Sequence, residues 1–259
     1  MKTPLHKIEI ASIYKKNKHK VLLPKRMAYA TPDTKYSILG IAKDIKKLGG
    51  KLILSDLFRS YDMQYQANLD YVTGKKKAYS PPPGGSLHEA GRAFDISLKD
   101  IKMELSQFWD IANKWGVSPI ISRPNKSTSE AWHFECRGSH QVVYDYYKNQ
   151  NATNLTPYKA MAISSILAIG VKVKKFKKNQ KEAYIQSMLI RLGFNIGNID
   201  GIIGIKTKEV ISEGNFSNKN LKKLILELES HLETKYTKEF YDNTLYNSDF
   251  DSNIPQELF

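Results

Sequence analysis

The 259-residue chain carries 40 Lys and Arg against 26 Asp and Glu, a formal charge of +14, and 41% of its residues are hydrophobic. That length and apolar content exclude a disordered chain and suit one domain plus a smaller one. The charge draws the surface toward polyanions without choosing among nucleic acid, acidic headgroups and the anionic matrix of a cell wall; a lysine-rich surface that only keeps the chain soluble is the plain alternative. The single cysteine, Cys136, excludes an internal disulfide and a cysteine-rich metal cluster, so any metal must be held by histidine and carboxylate.

The opening MKTPLHKIEIASIYKK lacks the apolar core of a secretory signal, so synthesis in the cytoplasm is expected. Thr31 is placed to cap, and Pro32 to begin, a helix whose Ile38, Ile41, Ala42 and Ile45 recur at helical spacing before Gly49-Gly50 closes it. KLILSD predicts a strand, RSYDMQYQANLDYV a second helix, and TGKKKAYSPPPGG a cationic loop whose prolines resist helix and sheet alike. AFDISL alternates Phe94 and Ile96 against Asp95, the two-residue period of a half-buried strand. Leu105, Phe108, Ala112 and Trp115 mark a third helix; SPIIS and AWHFE predict short strands, and HQVVYDYYKNQ a closing helix. This order predicts an α+β domain over residues 1–152, a small antiparallel sheet with flanking helices, with a doubly wound parallel sheet as the alternative.

Residues 153–175 read as a linker whose apolar run AMAISSILAIGV is too short to span a bilayer, which takes about 20 residues, and suits a buried or interdomain helix. From 176 to 235 the pattern is that of a small all-α module. Ile185, Met188, Leu189 and Leu192 form an apolar stripe ended by Gly193, and Gly197, Gly201 and Gly204 punctuate a turn region before further helix. Residues 236–259 are polar enough to be a loose tail.

HEAGR begins like the zinc motif H-E-x-x-H, but Arg92 stands where the second histidine belongs, so His88 needs partners elsewhere. Asp95, seven residues on, and His133, far downstream, would complete a three-ligand site that leaves a fourth position for water. A zinc ion there would acidify that water, and a carboxylate is then needed to take its proton. Glu130 and Glu135 flank His133, and strand parity puts Glu135 on the face of His133, so spacing alone leans toward Glu135. A single histidine or strand aspartate is ordinarily a hydrogen-bonded structural residue; only the combination points to a metal.

SLHEAGRAFD reads S-x-H-x-x-G-x-A-x-D, with Ser86, His88, Gly91, Ala93 and Asp95 in place, and EAWH reads E-x-x-H. Together they resemble the LAS zinc metallopeptidases, in particular the VanY-like D-alanyl-D-alanine carboxypeptidase branch that includes phage endolysin peptidases. The resemblance spans roughly residues 50–137. It implies a LAS/hedgehog-type peptidase fold and one zinc ion on His88, Asp95 and His133. It also makes Glu130 the general base, which requires an irregular chain before Trp132 and leaves Glu135 to orient a ligand or the substrate. LFRSYDMQ is similar to the family's Y-R-S-x-x-x-Q segment with Phe58 in place of tyrosine, which implies that Arg59 stabilises the oxyanion, supported by Ser60 and Gln64. Ser86 is implied as a substrate contact, and Trp132 is grouped with it beside the site.

IQSMLIRLGFNIGNIDGIIGIKTKEVI resembles the peptidoglycan-binding repeat through Gln186, Leu189, Leu192, Gly193, Phe194, Gly197, Asp200, Gly201, Gly204 and Thr207, although its usual A-V-x-x-F-Q ending is only partly present. The two resemblances imply a monomeric zinc peptidoglycan hydrolase cutting stem peptides or cross-links, held on bacterial peptidoglycan, with no nucleic-acid partner and no transmembrane segment. An endopeptidase that reaches the wall by endolysin-like release or by injection is the leading expectation. D-alanyl-D-alanine carboxypeptidase action is the alternative, and a non-catalytic wall-binding protein a further one.

Overall fold

The computed structural model describes residues 1–217 and 220–246. Strand β1 (His6–Lys7) pairs antiparallel with β4 (Tyr29–Ala30) as a small separate ribbon. Between them, β2 (Ala11–Lys16) and β3 (His19–Leu22) form a hairpin, and Asn17 and Lys18 at its tip hold φ of 50° and 68°, the twist a two-residue hairpin turn requires. The alternation of Ile8 and Ile10 with polar residues and the Asn17-Lys18 turn are the sequence signals for this region.

β2 joins a six-stranded sheet with β5 (Leu54–Asp56), β6 (Ala93–Ile96), β7 (Ser118–Pro119) and β8 (His133–Glu135), in the order β3-β2-β5-β6-β8-β7. The sheet is mixed rather than antiparallel throughout. β2 and β5 run parallel, because helix α1 (Pro32–Lys47) intervenes between them and carries the chain back to the same end. The β5–β6, β6–β8 and β7–β8 pairs are antiparallel, which removes the doubly wound alternative and gives a mixed α+β fold. AWHFE supplies strand only from His133, and SPIIS only at Ser118 and Pro119.

Helices α1 and α3 (Leu105–Lys114) cover one face of this sheet. Ile38, Ile41, Ile45 and Phe108 are wholly buried there with Leu54, Phe94 and Phe134. Each of those side chains contributes roughly 1.5–3 kcal/mol by burial. A Cβ at Gly40 would lie 2.4 Å from the Trp115 indole, so the close approach of α1 to the end of α3 depends on that glycine. Since Phe94 and Phe134 point into this core, Asp95 and His133, directly opposite each other across β6 and β8, point to the other face. Helix α2 (Tyr61–Val72) follows β5, with Ser60 at its N-cap.

The other face is closed by α4 (His140–Lys148) and α5 (Pro157–Ala168), followed by α6 (Gln180–Leu192), α7 (Ile205–Glu213) and α8 (Leu221–Lys235). α5 is buried at every position from Ala160 to Ala168, and its Met161 packs on Leu87 and Ala93 beside the sheet. One continuous core joins Ala90, Val143, Tyr146 and Tyr147 to Ile163, Ile185, Met188, Leu189 and Leu228, so the helical half is not a separate bead.

The stretch from 236, read from its polarity as a loose tail, is packed at least to Thr244. Glu239, Phe240, Asp242 and Thr244 are buried. Glu239 sits between Arg191 Nη2 at 2.8 Å and Arg92 Nη2 at 3.2 Å, and Asp242 pairs with Lys35 at 2.7 Å. Polar composition concealed this because each charge is matched by one from a distant segment. Residues 247–259 of the expected tail lie outside the described residues. Among the described residues no helix is long and apolar enough to cross a membrane.

Candidate metal centre

The Pro-Gly loop is tied to the site by a residue the sequence motifs did not single out. A 3-10 turn, Leu87–Ala90, begins at Ser86, whose Oγ accepts from His88 N at 3.3 Å, while Glu89 reaches back to Ser86 N at 3.2 Å and Gly84 N at 2.9 Å. Glu89 is buried, and that burial raises its pKa. Gly91 ends the turn at φ 64°, where a Cβ would lie 3.1 Å from Tyr29 O, so both the dihedral and the space call for glycine.

His88 Nδ1 donates to Leu57 O at 2.6 Å; a carbonyl only accepts, so the neutral ring presents an unprotonated Nε2. His133 Nε2 donates to Glu135 Oε1 at 3.2 Å, which turns Nδ1 toward Asp95 and His88. These two nitrogens lie 3.3 Å apart, and Asp95 Oδ1 is 2.9 Å from His133 Nδ1 and 3.4 Å from His88 Nε2. Two imidazole nitrogens and a carboxylate oxygen therefore converge in a buried pocket, an arrangement that is costly unless a cation, a proton on His133 or a metal ion, is shared among them. Metal–ligand bonds of about 2.0–2.1 Å in a tetrahedral shell set ligand atoms about 3.3–3.4 Å apart, so the donor set and its spacing fit a zinc-type ion. All three residues are buried and their ligand atoms lie within 4.8 Å of one another. The field of the pocket agrees. Burial opposes a charged His133, yet its hydrogen bonds to Asp95 and Glu135 push its pKa up to about 10. Burial likewise opposes a charged Asp95, but His88 and His133 hold it far below the usual carboxylate range.

The two glutamates flanking His133 have different surroundings. β8 begins only at His133, and Glu130 holds φ 66° in a turn closed by His133 N donating to Glu130 O at 2.9 Å, so strand parity does not extend back to residue 130. Glu130 is half-buried, and its enclosed Oε1 has no hydrogen-bond partner among the described residues. Burial raises its pKa, and the charges acting on it are those of His133, Asp95, His88 and Arg59, which places it at the same pocket. Glu135 is fully committed. Besides His133 it accepts from Tyr158 Oη at 2.6 Å and from Arg137 Nε at 2.7 Å.

Arg59 lies beside the ligands. Its Nε bonds Asp56 Oδ2 at 2.6 Å, Nη1 donates to Gln64 Oε1 at 3.2 Å, and Nη2 is 3.5 Å from Asp95 Oδ2. Burial works against its charge, but Asp56 and Asp95 outweigh it and raise the pKa. Gln64 is wholly buried and passes its own donors to Ser80 Oγ at 3.0 Å and Pro81 O at 2.7 Å. Ser60 acts through the helix start, accepting from Met63 N at 3.4 Å. Ser86 is 3% exposed with its hydroxyl turned to the backbone of His88, and Trp132 is half-buried with its carbonyl accepting from Ile96 N at 2.9 Å.

Asp56, Glu89, Arg137 and Tyr158 are contributors that motif reading missed. Asp56 carries a signal, an acid three residues before Arg59; Tyr158 carries none, being brought to Glu135 by the packing of α5.

No family model and no curated protein matches this chain. Among solved structures, it is similar to the LdcB LD-carboxypeptidase, from a structure described as revealing the molecular basis of peptidoglycan recognition: 20% identity over 60% of this chain and 76% of that one, with a TM-score of 0.39. DacB from Streptococcus pneumoniae D39 matches at 27% identity over 47% of this chain and 73% of its own, TM-score 0.33. A second structure of DacB from Streptococcus pneumoniae, described as an L,D-carboxypeptidase, matches at 22% identity over 48% and 84%, TM-score 0.33. At these TM-scores the likeness carries no argument about the present chain; its own residues must.

Proposed function

We propose that this chain is a zinc-dependent peptidase that cuts peptide bonds in the stem peptides or cross-links of peptidoglycan. The observation that carries the reading is the convergence of His88 Nε2, Asp95 and His133 Nδ1 in one buried pocket, with the guanidinium of Arg59 against Asp95 and an unpartnered oxygen on Glu130, whose carboxyl feels the charges of all four. The substrate class comes from the resemblance of the two sequence motifs.

A zinc ion held by His88, Asp95 and His133 would supply Lewis acidity and lower the pKa of a water at the site. Glu130, with a pKa raised by burial, takes that water's proton and returns it to the leaving amine. Arg59, fixed by Asp56 and Gln64 and unable to lose its charge, donates to the oxyanion that develops on the attacked carbonyl. Glu135 holds the His133 ring in the tautomer that presents Nδ1, and Tyr158 and Arg137 hold Glu135.

Incubating the zinc-loaded protein with intact sacculi and sizing the released fragments by mass spectrometry tests this directly. New termini inside the stem or cross-link are expected. Release of terminal D-alanine alone would reassign the enzyme as a carboxypeptidase, and the absence of any product would leave only a wall-binding protein.

A further inference from the structure

The densest run of positive charge takes no part in the site as described. Residues 171–181 read VKVKKFKKNQK, six lysines and no arginine. Buried Val173 and Phe176 pin the run to the protein, and Lys172, Lys174, Lys175, Lys177, Lys178 and Lys181 all face solvent. The backbone between the anchors is built rather than loose. Gln180 Oε1 accepts from Val173 N, and its Nε2 donates to Val173 O and Lys177 O, each at 2.9 Å. Lys177 is held at φ 45° and ψ −113°, a strained conformation for a residue with a side chain.

None of the six makes an ion pair among the described residues. Burial and the neighbouring Lys159 instead lower the pKa of Lys175, against the weaker pull of Asp200, which is itself engaged by Gln186 Nε2 at 2.8 Å and Ile202 N at 2.8 Å. A rigid, unneutralised like-charge turn costs stability and gains from an external anion.

Its position says which one. On one side Val173 abuts Gly84, whose Cβ would lie 3.3 Å from Val173 Cγ1, in the loop that leads to His88. On the other side Asn179 and Phe176 abut Gly201, at 3.1 and 3.4 Å from its would-be Cβ, in the glycine loop that resembles the peptidoglycan-binding repeat. The lysine turn therefore bridges the loop that leads to His88 and the glycine loop. Lysine without arginine suits diffuse attraction to many carboxylates rather than a bidentate grip on one phosphate.

We infer that the 172–181 lysine turn is an electrostatic seat for the free carboxylates of the peptidoglycan strand whose bond is cut at the metal centre. The inference deepens the proposed function and rests on it for the identity of the polymer.

The test is sedimentation of the full-length chain with purified sacculi stripped of phosphodiester-linked polymers. It compares the unaltered chain with K174Q/K175Q/K177Q/K178Q, in buffers from about 50 to about 300 mM salt, over which screening tightens. Retention of the unaltered chain is expected to fall with salt, and the quadruple variant to be retained about tenfold less at low salt. Sacculi whose carboxylates have been converted to amides should retain the unaltered chain no better than intact sacculi retain the variant; this arm needs no altered protein and stays decisive if the variant misfolds. Equal retention on amidated sacculi, or retention only by unstripped sacculi bearing phosphodiesters, overturns the inference. Hydrolysis of a soluble stem peptide, measured in parallel, is a separate readout. Its absence with lysine-dependent retention intact removes the peptidase reading and leaves the seat standing.

Discussion

Two buried charge clusters adjoin β6. One gathers His88, Asp95, His133 and Glu130; in the other Arg92, just before β6, meets Asp33 at 2.7 Å and Glu239 at 3.2 Å, and Glu239 meets Arg191 at 2.8 Å. The second cluster balances its own charge, two guanidiniums against two carboxylates, although Arg92 Nε and Nη2 and Arg191 Nη1 have no hydrogen-bond partner among the described residues. The first gathers two imidazole nitrogens and a carboxylate oxygen at one point, with an oxygen of Glu130 unpartnered. Buried charge by itself therefore marks nothing, and neither does an unpartnered polar atom; the distinction lies in donors of metal-binding type that converge on one point.

The harshest way to break this contrast is to remove the helical half. A chain ending near Asn151 resembles a complete catalytic domain in sequence, but it would bare Ala90, Val143, Tyr146 and Tyr147 and lose Tyr158, Arg191 and Glu239. We expect loss of the cooperative thermal transition; a truncated chain that melts like the whole one would show that the two halves are independent.

Opening the second cluster comes next. Glu239→Ala leaves Arg92 and Arg191 buried without their shared partner, and should cost about 3–5 kcal/mol in urea unfolding. The pH dependence has a defined sign. Burial opposes charge on Glu239, but Arg92 and Arg191 outweigh it and lower its pKa. The pairing therefore contributes fully above about pH 5 and is lost as pH falls through the folded-state value. Stability of the unaltered chain should decline more steeply on acidification than that of Glu239→Gln; parallel curves would mean the pair contributes nothing.

At the first cluster, removing the unpartnered group should leave stability alone and abolish turnover. Glu130→Gln is expected to lower the rate of stem-peptide cleavage by about 10²–10⁴-fold while zinc stoichiometry and melting temperature stay as they were. If Glu135→Gln shows that pattern and Glu130→Gln does not, the base has been assigned to the wrong glutamate. Glu135→Gln should instead weaken zinc binding by about 10–100-fold, read by chelator competition. Tyr158→Phe, which removes one of several bonds to Glu135, should have the smallest effect, about 1 kcal/mol in stability.

How much of this was legible depended on the distance over which each interaction acts. The turn carrying His88 and the strand carrying Asp95 follow from local rules, a capping serine, a glycine at positive φ and a two-residue period. Helix α1 was readable from Thr31-Pro32 and its isoleucines for the same reason. The parity argument put Glu135 on the face of His133, where the structure has it, but it does not reach Glu130, because β8 starts at His133 and Glu130 lies in a turn of positive φ, a break that no alternation reveals. The parallel pairing of β2 with β5 was hidden likewise, since pairing direction is set by where α1 returns the chain.

The sequence by itself determined the chemistry available: which nitrogens and oxygens could serve a metal, and that no thiolate cluster could form; the arginine beside them was implied only by the family resemblance. Local spacing suffices for the donors, because residue type and short-range backbone preference settle them. Only the tertiary structure decided which glutamate keeps an unspent oxygen, which tyrosine steadies the other, and that the polar stretch before Thr244 is a buried clasp. Those outcomes join residues up to 207 positions apart in the chain. A charge's partner at that range is chosen by packing, and packing is not written in any one segment.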